Sequence, residues 1–236
     1  MTRNNTDLAR VEKAIAELCA AGRGNVCFDA DGVLWREDVG NAYLVSSIER
    51  HILRPKQEAE ARKAWEAYCR GEMEDGVLAG LCATAMRGLR EDFVAADARA
   101  FFLSQFTRHI IPQVGDWITR LQSAGGACWV ISGSHRWIVT AGAEVLGIPP
   151  ERVLAVTVIS CNGVLTGKLA QPFPYGKGKA EAIRLRLPAA PEMVFGNTVQ
   201  DISMLEMASR LAVAVEPDAE LLQAAQQRNW PVLDLR

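Results

Sequence analysis

The fold of this chain is indicated by one stretch of sequence, Val26-Cys27-Phe28-Asp29-Ala30-Asp31-Gly32-Val33-Leu34-Trp35. Its first residues form a short β-branched and aromatic run, which predicts a buried strand that stops before Gly32. Two carboxylates follow at the strand's carboxyl end, which is the edge where ligands bind in an open α/β sheet. Because residues two apart in extended chain point to the same side, we expect both carboxylates to face one pocket.

Two neighbouring carboxylates repel each other unless a cation lies between them or one of them holds a proton. Both conditions suit phosphoryl transfer, in which Mg²⁺ binds carboxylates and phosphate together. One aspartate then attacks phosphorus, and the other moves the proton of the leaving group. The alternative is an ordinary solvated turn, for which Asp and Gly are common residues. A calcium loop is excluded because its further ligands do not follow Gly32.

The composition is that of a globular protein: 236 residues, of which 49% are hydrophobic and 23% charged. The net charge of −2 argues against nucleic acid or a membrane surface as a partner. No apolar run approaches the roughly 20 residues that span a bilayer, and charged residues interrupt the first amphipathic stretch, so we expect a cytoplasmic protein. Its six scattered cysteines are then expected to be free thiols. The sequence does not specify an oligomeric state.

Strand-like and helical segments alternate along most of the chain, which predicts an α/β fold with a Rossmann-like parallel sheet and helices on both faces. The interval from about 41 to 110 is helical throughout and exceeds an ordinary crossover connection. We therefore expect a core domain formed by residues 1–37 and 111–236, and an inserted all-helical cap formed by residues 38–110. Such a cap would overhang the two carboxylates as a lid.

Later strands of the core are expected at 127–131, 193–195, 211–215 and 232–233, with a hairpin that joins 153–159 to 164–169 across Asn162-Gly163. Two of these strands end in small polar groups that suit a phosphate site. Ser132 offers a hydroxyl, Gly133 permits close backbone approach, and Asn197 and Asp201 offer oxygen ligands to a cation. Lys179 lies near the start of a predicted helix and offers positive charge. Taken singly, each also fits a structural role, as a loop, a cap or a solvated lysine.

Together these segments resemble the four motifs of the haloacid dehalogenase superfamily, in order. They are Asp29-Ala30-Asp31-Gly32-Val33, Val130-Ile131-Ser132-Gly133, Lys179, and Gly196-Asn197-Thr198-Val199-Gln200-Asp201. The helical insert after the first motif, Asn162-Gly163-Val164-Leu165-Thr166-Gly167 and Asp201-Ile202-Ser203-Met204-Leu205 are similar to the phosphoserine phosphatase-like branch.

The resemblance implies a role for each motif residue. Asp29 is the nucleophile that forms a phosphoaspartyl intermediate, and Asp31 is the general acid and then the base for water. Ser132 binds phosphate, and Lys179 stabilises phosphate and Asp29. Lys177 is the alternative for this lysine. Asp29, the Asp31 carbonyl, Asn197 and Asp201 would bind Mg²⁺. The family motif usually begins Gly-Asp rather than Gly196-Asn197, so we expect weaker Mg²⁺ binding than in relatives.

The resemblance also points to a substrate with a cationic nitrogen, of the phosphoserine or phosphocholine type. Asp38 or Glu37 stands near the offset of a family glutamate that holds the substrate's amine; a solvated acidic pair at the cap hinge is the alternative. Trp35, Tyr43, Trp65 and Tyr68 offer aromatic faces to a quaternary ammonium, unless they belong to the core. An amino-acid substrate would require a cap arginine for its carboxylate, and the candidates are Arg50, Arg54, Arg62, Arg70, Arg87 and Arg90.

The resulting prediction is a Mg²⁺-dependent phosphatase that acts on a small phosphomonoester. Two other functions use the same motifs. A phosphotransferase would pass the phosphoryl group from the same aspartate to an alcohol instead of water. A non-catalytic ligand-binding protein would be supported by Asn197 but not by the crowded pair Asp29 and Asp31, which an idle site does not need.

Overall fold

A six-stranded parallel sheet forms the centre of the structure, a computed structural model that describes residues 3–235. Its strands are arranged in the order β3-β2-β1-β6-β7-β8. Their bounds are β1 Asn25–Phe28, β2 Ala127–His135, β3 Val153–Val156, β6 Met193–Gly196, β7 Leu211–Val215 and β8 Val232–Leu233. A separate antiparallel pair consists of β4 Val158–Cys161 and β5 Val164–Leu169.

Helices cover both faces of the sheet because successive side chains of each strand alternate between them. In β1, Val26 and Phe28 join one hydrophobic cluster while Cys27 joins the other. The first face packs against α1 Arg3–Ala21, α6 Pro112–Ser123 and α7 Arg136–Val145. The second packs against α8 Lys177–Arg186, α9 Ile202–Leu205 and α10 Ala219–Gln227. The expected α/β fold with helices on both faces is confirmed.

The central position of β1 determines where the site lies. The strand pairs with β2 on one side, with Phe28 opposite Val130, and with β6 on the other, with Phe28 opposite Phe195. The rings of Phe28 and Phe195 stack with their centroids 4.7 Å apart. Because all three strands run parallel, the residues that follow each of them meet at one edge of the sheet.

A helical segment is inserted between β1 and α6, as the fold prediction required. It contains α2 Val39–Glu49, α3 Pro55–Cys69, α4 Asp75–Thr84 and α5 Glu91–Phe101, followed by a π-helical turn at Phe102–Phe106 and a 3-10 turn at Thr107–His109. None of the described helices is both long and apolar enough to cross a bilayer. The division into domains at 37/38 and 110/111 stays a prediction, and its outer bounds include residues 1, 2 and 236, which lie outside the described residues.

The two chain connections to this helical segment run side by side. The backbone N–H of Arg36 donates to the His109 carbonyl at 2.8 Å, and that of Ile111 donates to the Leu34 carbonyl at 2.9 Å. Trp35 packs edge-on against Phe102, with ring centroids 5.1 Å apart. The helical segment is therefore anchored to the core directly beside the end of β1.

The hairpin prediction is corrected in one respect. The segment predicted as one strand at 153–159 is divided between two sheets, since β3 pairs in parallel with β2 and only β4 pairs with β5. The predicted Asn-Gly turn is present, with both Asn162 and Gly163 at positive φ. A continuous apolar run does not reveal where a chain leaves one sheet, because pairing partners are distant in sequence.

His135, the last residue of β2, is buried without a hydrogen-bond partner on either ring nitrogen and lies 5.2 Å from the Tyr43 ring. Burial lowers its pKa to about 3. The unfolded chain therefore binds a proton near pH 6.5 that the folded chain does not bind until about pH 3, so stability falls as the pH drops through this interval. The loss from His135 between pH 6.5 and pH 5 is about 2 kcal/mol.

We expect His135→Leu to reduce this acid sensitivity, because the variant has no imidazole to charge on unfolding. Denaturant unfolding at pH 7 and pH 5 measures the effect. His51→Asn, which removes an imidazole that is 73% exposed, is the control and should retain the acid sensitivity of the wild type. Equal acid sensitivity in His135→Leu and wild type would contradict the prediction.

Candidate active site

A cavity of about 420 Å³ lies between the carboxyl edge of the sheet and the inserted helices. Its lining includes residues from the ends of β1, β2 and β6, together with residues of α2 and α4. Among the predicted site residues, the lining contains Asp29, Asp31, Glu37, Asp38, Gly133, Lys179 and Asn197. The structure thus brings together side chains that are up to 168 positions apart, counted from Asp29 to Asn197.

Asp29 and Lys179 lie on the floor of the cavity, and with Asp201 beneath them they form a buried ion triad. The Lys179 Nζ donates to Asp29 Oδ1 at 2.6 Å and to Asp201 Oδ1 at 2.5 Å. Burial lowers the pKa of Lys179, but the charges of Asp201 and Asp29 outweigh it and leave the pKa raised. Burial and the neighbouring Asp201 raise the pKa of Asp29 to about 8. The triad therefore contains two carboxyl groups and a single ammonium.

Asp201 accepts three hydrogen bonds from the protein. Besides Lys179, it accepts hydrogen bonds at Oδ2 from the backbone N–H groups of Asn197, at 2.8 Å, and Thr198, at 3.1 Å. It is also fully buried and does not line the cavity. In this arrangement Asp201 orients Lys179 and the loop after β6, and its role as a metal ligand stays a prediction.

Asp31 is held by three donors. Its Oδ1 accepts from the indole Nε1–H of Trp35 and the backbone N–H of Val39, both at 2.8 Å, and its Oδ2 accepts from the Ser134 hydroxyl at 2.6 Å. Burial raises the pKa of Asp31, against the opposing effect of these hydrogen bonds. A carboxyl group with a raised pKa and a fixed orientation suits proton transfer to a leaving group.

The polar segment Ser132-Gly133-Ser134, near the carboxyl end of β2, contributes to the site in a different way from the one predicted. Ser132 is fully buried, and its Oγ accepts the backbone N–H of Ser134 at 3.0 Å; it does not line the cavity. Gly133 and Ser134 do line it. Ser134 was absent from the predicted site, although its place two residues beyond Ser132, on the same side of an extended chain, was a usable signal. The phosphate-binding role of Ser132 stays a prediction.

Asn197 fits the cation site that the resemblance implies. Its Oδ1 is buried and has no hydrogen-bond partner, which leaves an oxygen available to a ligand. Gly32, at a φ of 81°, lies so close that a Cβ there would be 2.0 Å from Asn197 Nδ2, so glycine is required at this turn. In the described part of the chain, no three His, Cys, Asp or Glu side chains converge on a cation position.

The part of the cavity wall formed by the inserted helices is acidic. Asp38 is the N-cap of α2, where its Oδ1 accepts the backbone N–H of Asn41 at 2.7 Å. Asp38 is exposed to solvent, and the surrounding protein together with the charge of Asp31 raises the pKa of this carboxyl above its usual range. Asp75, in the first turn of α4, also lines the cavity, and burial and this carboxylate raise the pKa of Tyr68 to about 12. No feature of the sequence indicated Asp75.

Trp35 lies behind the cavity and does not line it. The side chain is fully buried, and its indole N–H is donated to Asp31 instead of facing substrate. Of the four aromatic residues considered for a quaternary ammonium, only Tyr68 lines the cavity. Tyr175, which sequence reasoning missed, supplies a second ring. Steric fit explains the position of Trp35, because its bulk fills the space beside Phe102 and Gly142.

Comparison with known proteins gives a family match over most of the chain. The family model described as haloacid dehalogenase-like hydrolase matches residues 26–206. The segment begins within β1 and ends just after α9, so it contains the residues that line the floor of the cavity.

Two relatives carry phosphatase names. The phosphoserine phosphatase SerB1 of Mycobacterium tuberculosis is 30% identical over 120 residues, which are 48% of this chain and only 37% of that protein. A histidinol-phosphatase of Neisseria meningitidis is 26% identical over 220 residues, which are 89% of this chain and 97% of that protein.

Solved structures share the fold. A protein from Bordetella pertussis Tohama I, described as of unknown function, matches with a TM-score of 0.77 at 21% identity, covering 91% of this chain and 99% of that one. A phosphoserine phosphatase solved as a phospho-aspartyl intermediate analogue matches with a TM-score of 0.58 at 17% identity, covering 91% and 94%. At these identities the likeness is one of fold.

Proposed function

The chain belongs to the haloacid dehalogenase-like hydrolase family, in its phosphoserine phosphatase-like branch, as its motifs predicted, and we propose that it hydrolyses a small phosphomonoester through an aspartyl-phosphate on Asp29. The observation that carries this proposal is the buried contact of Lys179 with Asp29 at the end of β1, with Asp31 two residues beyond. The proposal includes a cytoplasmic setting, in which the six free thiols persist.

In the first step, a carboxylate oxygen of Asp29 forms a bond to phosphorus as the bond from phosphorus to the ester oxygen breaks. The departing oxygen takes the proton of Asp31. Three hydrogen bonds orient that carboxyl group, and burial raises its pKa, which favours the protonated form that the step requires. Lys179 offsets charge on the phosphoryl oxygens and on Asp29.

In the second step, a water molecule attacks phosphorus and loses a proton to Asp31, while the bond from phosphorus to Asp29 breaks. Inorganic phosphate leaves, and both aspartates return to their starting states. The inserted helices cover the cavity and limit the access of further water, as lids do.

Asp29, the backbone carbonyl of Asp31, Asn197 and Asp201 would hold Mg²⁺ in this proposal. The bound cation would neutralise phosphate charge and supply the positive charge that the acidic site lacks. The free oxygen of Asn197 and the excess of carboxylates support the assignment. An oxygen-only donor set is the type that Mg²⁺ prefers.

We expect Asn197→Asp to lower the Mg²⁺ concentration for half-maximal activity by about tenfold, because the substitution adds a negative charge to an otherwise unchanged set of ligands. Titration of phosphate release with Mg²⁺ measures this change, and calorimetry with Mg²⁺ alone measures it without turnover. Unchanged Mg²⁺ affinity in both experiments would show that Asn197 is not a ligand.

The proposed hydrolase function is tested by phosphate release from a panel of phosphomonoesters with Mg²⁺. The panel contains p-nitrophenyl phosphate, O-phosphoserine, phosphocholine, phosphoethanolamine and L-histidinol phosphate; the second and last of these correspond to the names of the two relatives. Release from at least one of them is expected. Absence of release from every compound, in folded protein that binds Mg²⁺, would overturn the proposal, and transfer to an added alcohol would replace hydrolysis with phosphotransfer.

A further inference from the structure

Negatively charged side chains far outnumber positively charged ones in the lining of the cavity. Six carboxylate residues line it, and Lys179 is the one lysine or arginine among the described residues that do so. The six are Asp29, Asp31, Glu37, Asp38, Asp75 and Asp218. Both short contacts of Lys179 go to Asp29, on the floor of the cavity, and to Asp201, beneath the floor. The wall formed by Asp38 and Asp75 therefore has no positive partner in the described part of the chain.

The arginines of the inserted helices are bound elsewhere. Each of the six that sequence reasoning considered for a substrate carboxylate contacts another group, and none lines the cavity. The pairs are Arg50 with Asp97, Arg54 with the Gly88 carbonyl, Arg62 with Glu58, Arg70 with Glu72, Arg87 with Glu60, and Arg90 with Asp92. A carboxylate on the substrate would thus find no guanidinium and would face other carboxylates.

We propose that this site takes a phosphorylated amino alcohol, a phosphomonoester that carries a protonated amine and no carboxylate. The inference rests on the proposed function and specifies its substrate class. The phosphate lies at Lys179 and Asp29, and the ammonium group donates hydrogen bonds to Asp38 and Asp75. Charge-assisted hydrogen bonds of this kind are short and strong, and like-charge repulsion excludes the amino-acid analogue.

The aromatic residues favour an N–H donor over a quaternary ammonium. A cage for a quaternary ammonium surrounds the cation with ring faces. Here Tyr43 is buried and donates its hydroxyl to Asp97, Trp35 lies behind Asp31, and Trp65 does not line the cavity. Tyr68 is present, but its hydroxyl lies beside Asp75. The wall therefore offers hydrogen-bond acceptors to an ammonium group and only a partial set of rings.

The inference is tested with phosphoethanolamine and two compounds that each differ from it at one position. O-Phosphoserine adds a carboxylate to phosphoethanolamine, and phosphocholine replaces its N–H groups with methyl groups. We expect kcat/KM for phosphoethanolamine to exceed that for O-phosphoserine by about 100-fold and that for phosphocholine by about tenfold, because like-charge contact with the acidic lining and the loss of N–H hydrogen bonds both weaken binding. Equal or better turnover of O-phosphoserine would overturn the inference.

Variants locate the selectivity on the acidic wall. Asp38→Asn retains an N-cap side chain on α2 and removes its charge, and Asp75→Asn removes a charge from the first turn of α4. In each, the ratio of kcat/KM for phosphoethanolamine to that for p-nitrophenyl phosphate should fall at least about tenfold. Asp92→Asn, in the first turn of α5 and outside the cavity, should leave the ratio unchanged. Unchanged ratios in both wall variants would contradict the assignment.

Failure of this inference is distinguishable from failure of the hydrolase function. If wild-type protein releases phosphate from p-nitrophenyl phosphate but does not favour phosphoethanolamine over O-phosphoserine, the substrate class is wrong and the hydrolase function stands. If it releases phosphate from none of the five compounds in the panel above, L-histidinol phosphate included, the hydrolase function itself fails.

Discussion

Asp29→Asn is expected to lower kcat for phosphate release by at least about 10³-fold, because an amide does not attack phosphorus and the proposed aspartyl-phosphate is not formed. Asparagine has nearly the same shape and still offers an oxygen to the Lys179 ammonium, which stays paired with Asp201. The loss should therefore be one of chemistry and not of folding. Phosphate release from p-nitrophenyl phosphate measures it.

The stability of Asp29→Asn provides the control. Burial and Asp201 raise the pKa of Asp29 to about 8 in the folded protein. A carboxyl group whose pKa is higher in the folded protein than in the unfolded chain stabilises the folded state when it is protonated. For Asp29 this stabilisation is lost as the pH rises from the pKa in the unfolded chain, about 3.9, through the pKa in the folded protein, about 8. The variant should therefore unfold at the same temperature as wild type or higher, at pH 8 in EDTA. Activity within tenfold of wild type would remove Asp29 as the nucleophile.

Lys179→Met is expected to abolish turnover and to lower the free energy of unfolding by about 3–5 kcal/mol, the usual cost of removing one partner from a buried ion pair. Lys179 is buried between two carboxylates, and its side chain is only 5% exposed. The substitution leaves Asp29 and Asp201 without a cation, so one of them takes up a proton. Denaturant unfolding and phosphate release at pH 7 measure the two effects.

Lys177→Met is the matched control and separates the two lysines considered from sequence. Lys177 is exposed at the first position of α8, and it does not line the cavity. Its substitution should change the unfolding free energy by no more than about 0.5 kcal/mol, as is usual for surface positions. The reverse result, with loss of activity in Lys177→Met and not in Lys179→Met, would assign the site to Lys177.

Local patterns were enough to predict the sheet and the centre of the site. The strand at 211–215 and the short strand at 232–233 lie where apolar runs placed them. The cavity is lined by Asp29, Asp31, Gly133, Lys179 and Asn197, because parallel strands deliver their carboxyl ends to one edge whatever the length of the intervening chain. The residues that line the cavity are also the motif residues by which the sequence was recognised as resembling its family.

Local sequence patterns did not predict the contacts between segments that are distant in sequence. The predicted strand at 153–159 is shared between two sheets, and Trp35 donates to Asp31 from behind the cavity instead of contacting substrate. Asp75 and Tyr175 reach the cavity from elements that carry no motif. Each outcome depends on packing between segments distant in sequence, which residue type and spacing do not encode.

The sequence by itself determined the α/β fold, the family and the carboxylates at the end of β1, because strand periodicity and the chemistry of motif residues are local properties. Only the tertiary structure decided which charges remain free within the cavity. Six arginines were equal candidates by sequence, and the structure pairs every one of them outside the site. Net charge in a pocket is a sum over neighbours in space, and those neighbours are set by folding.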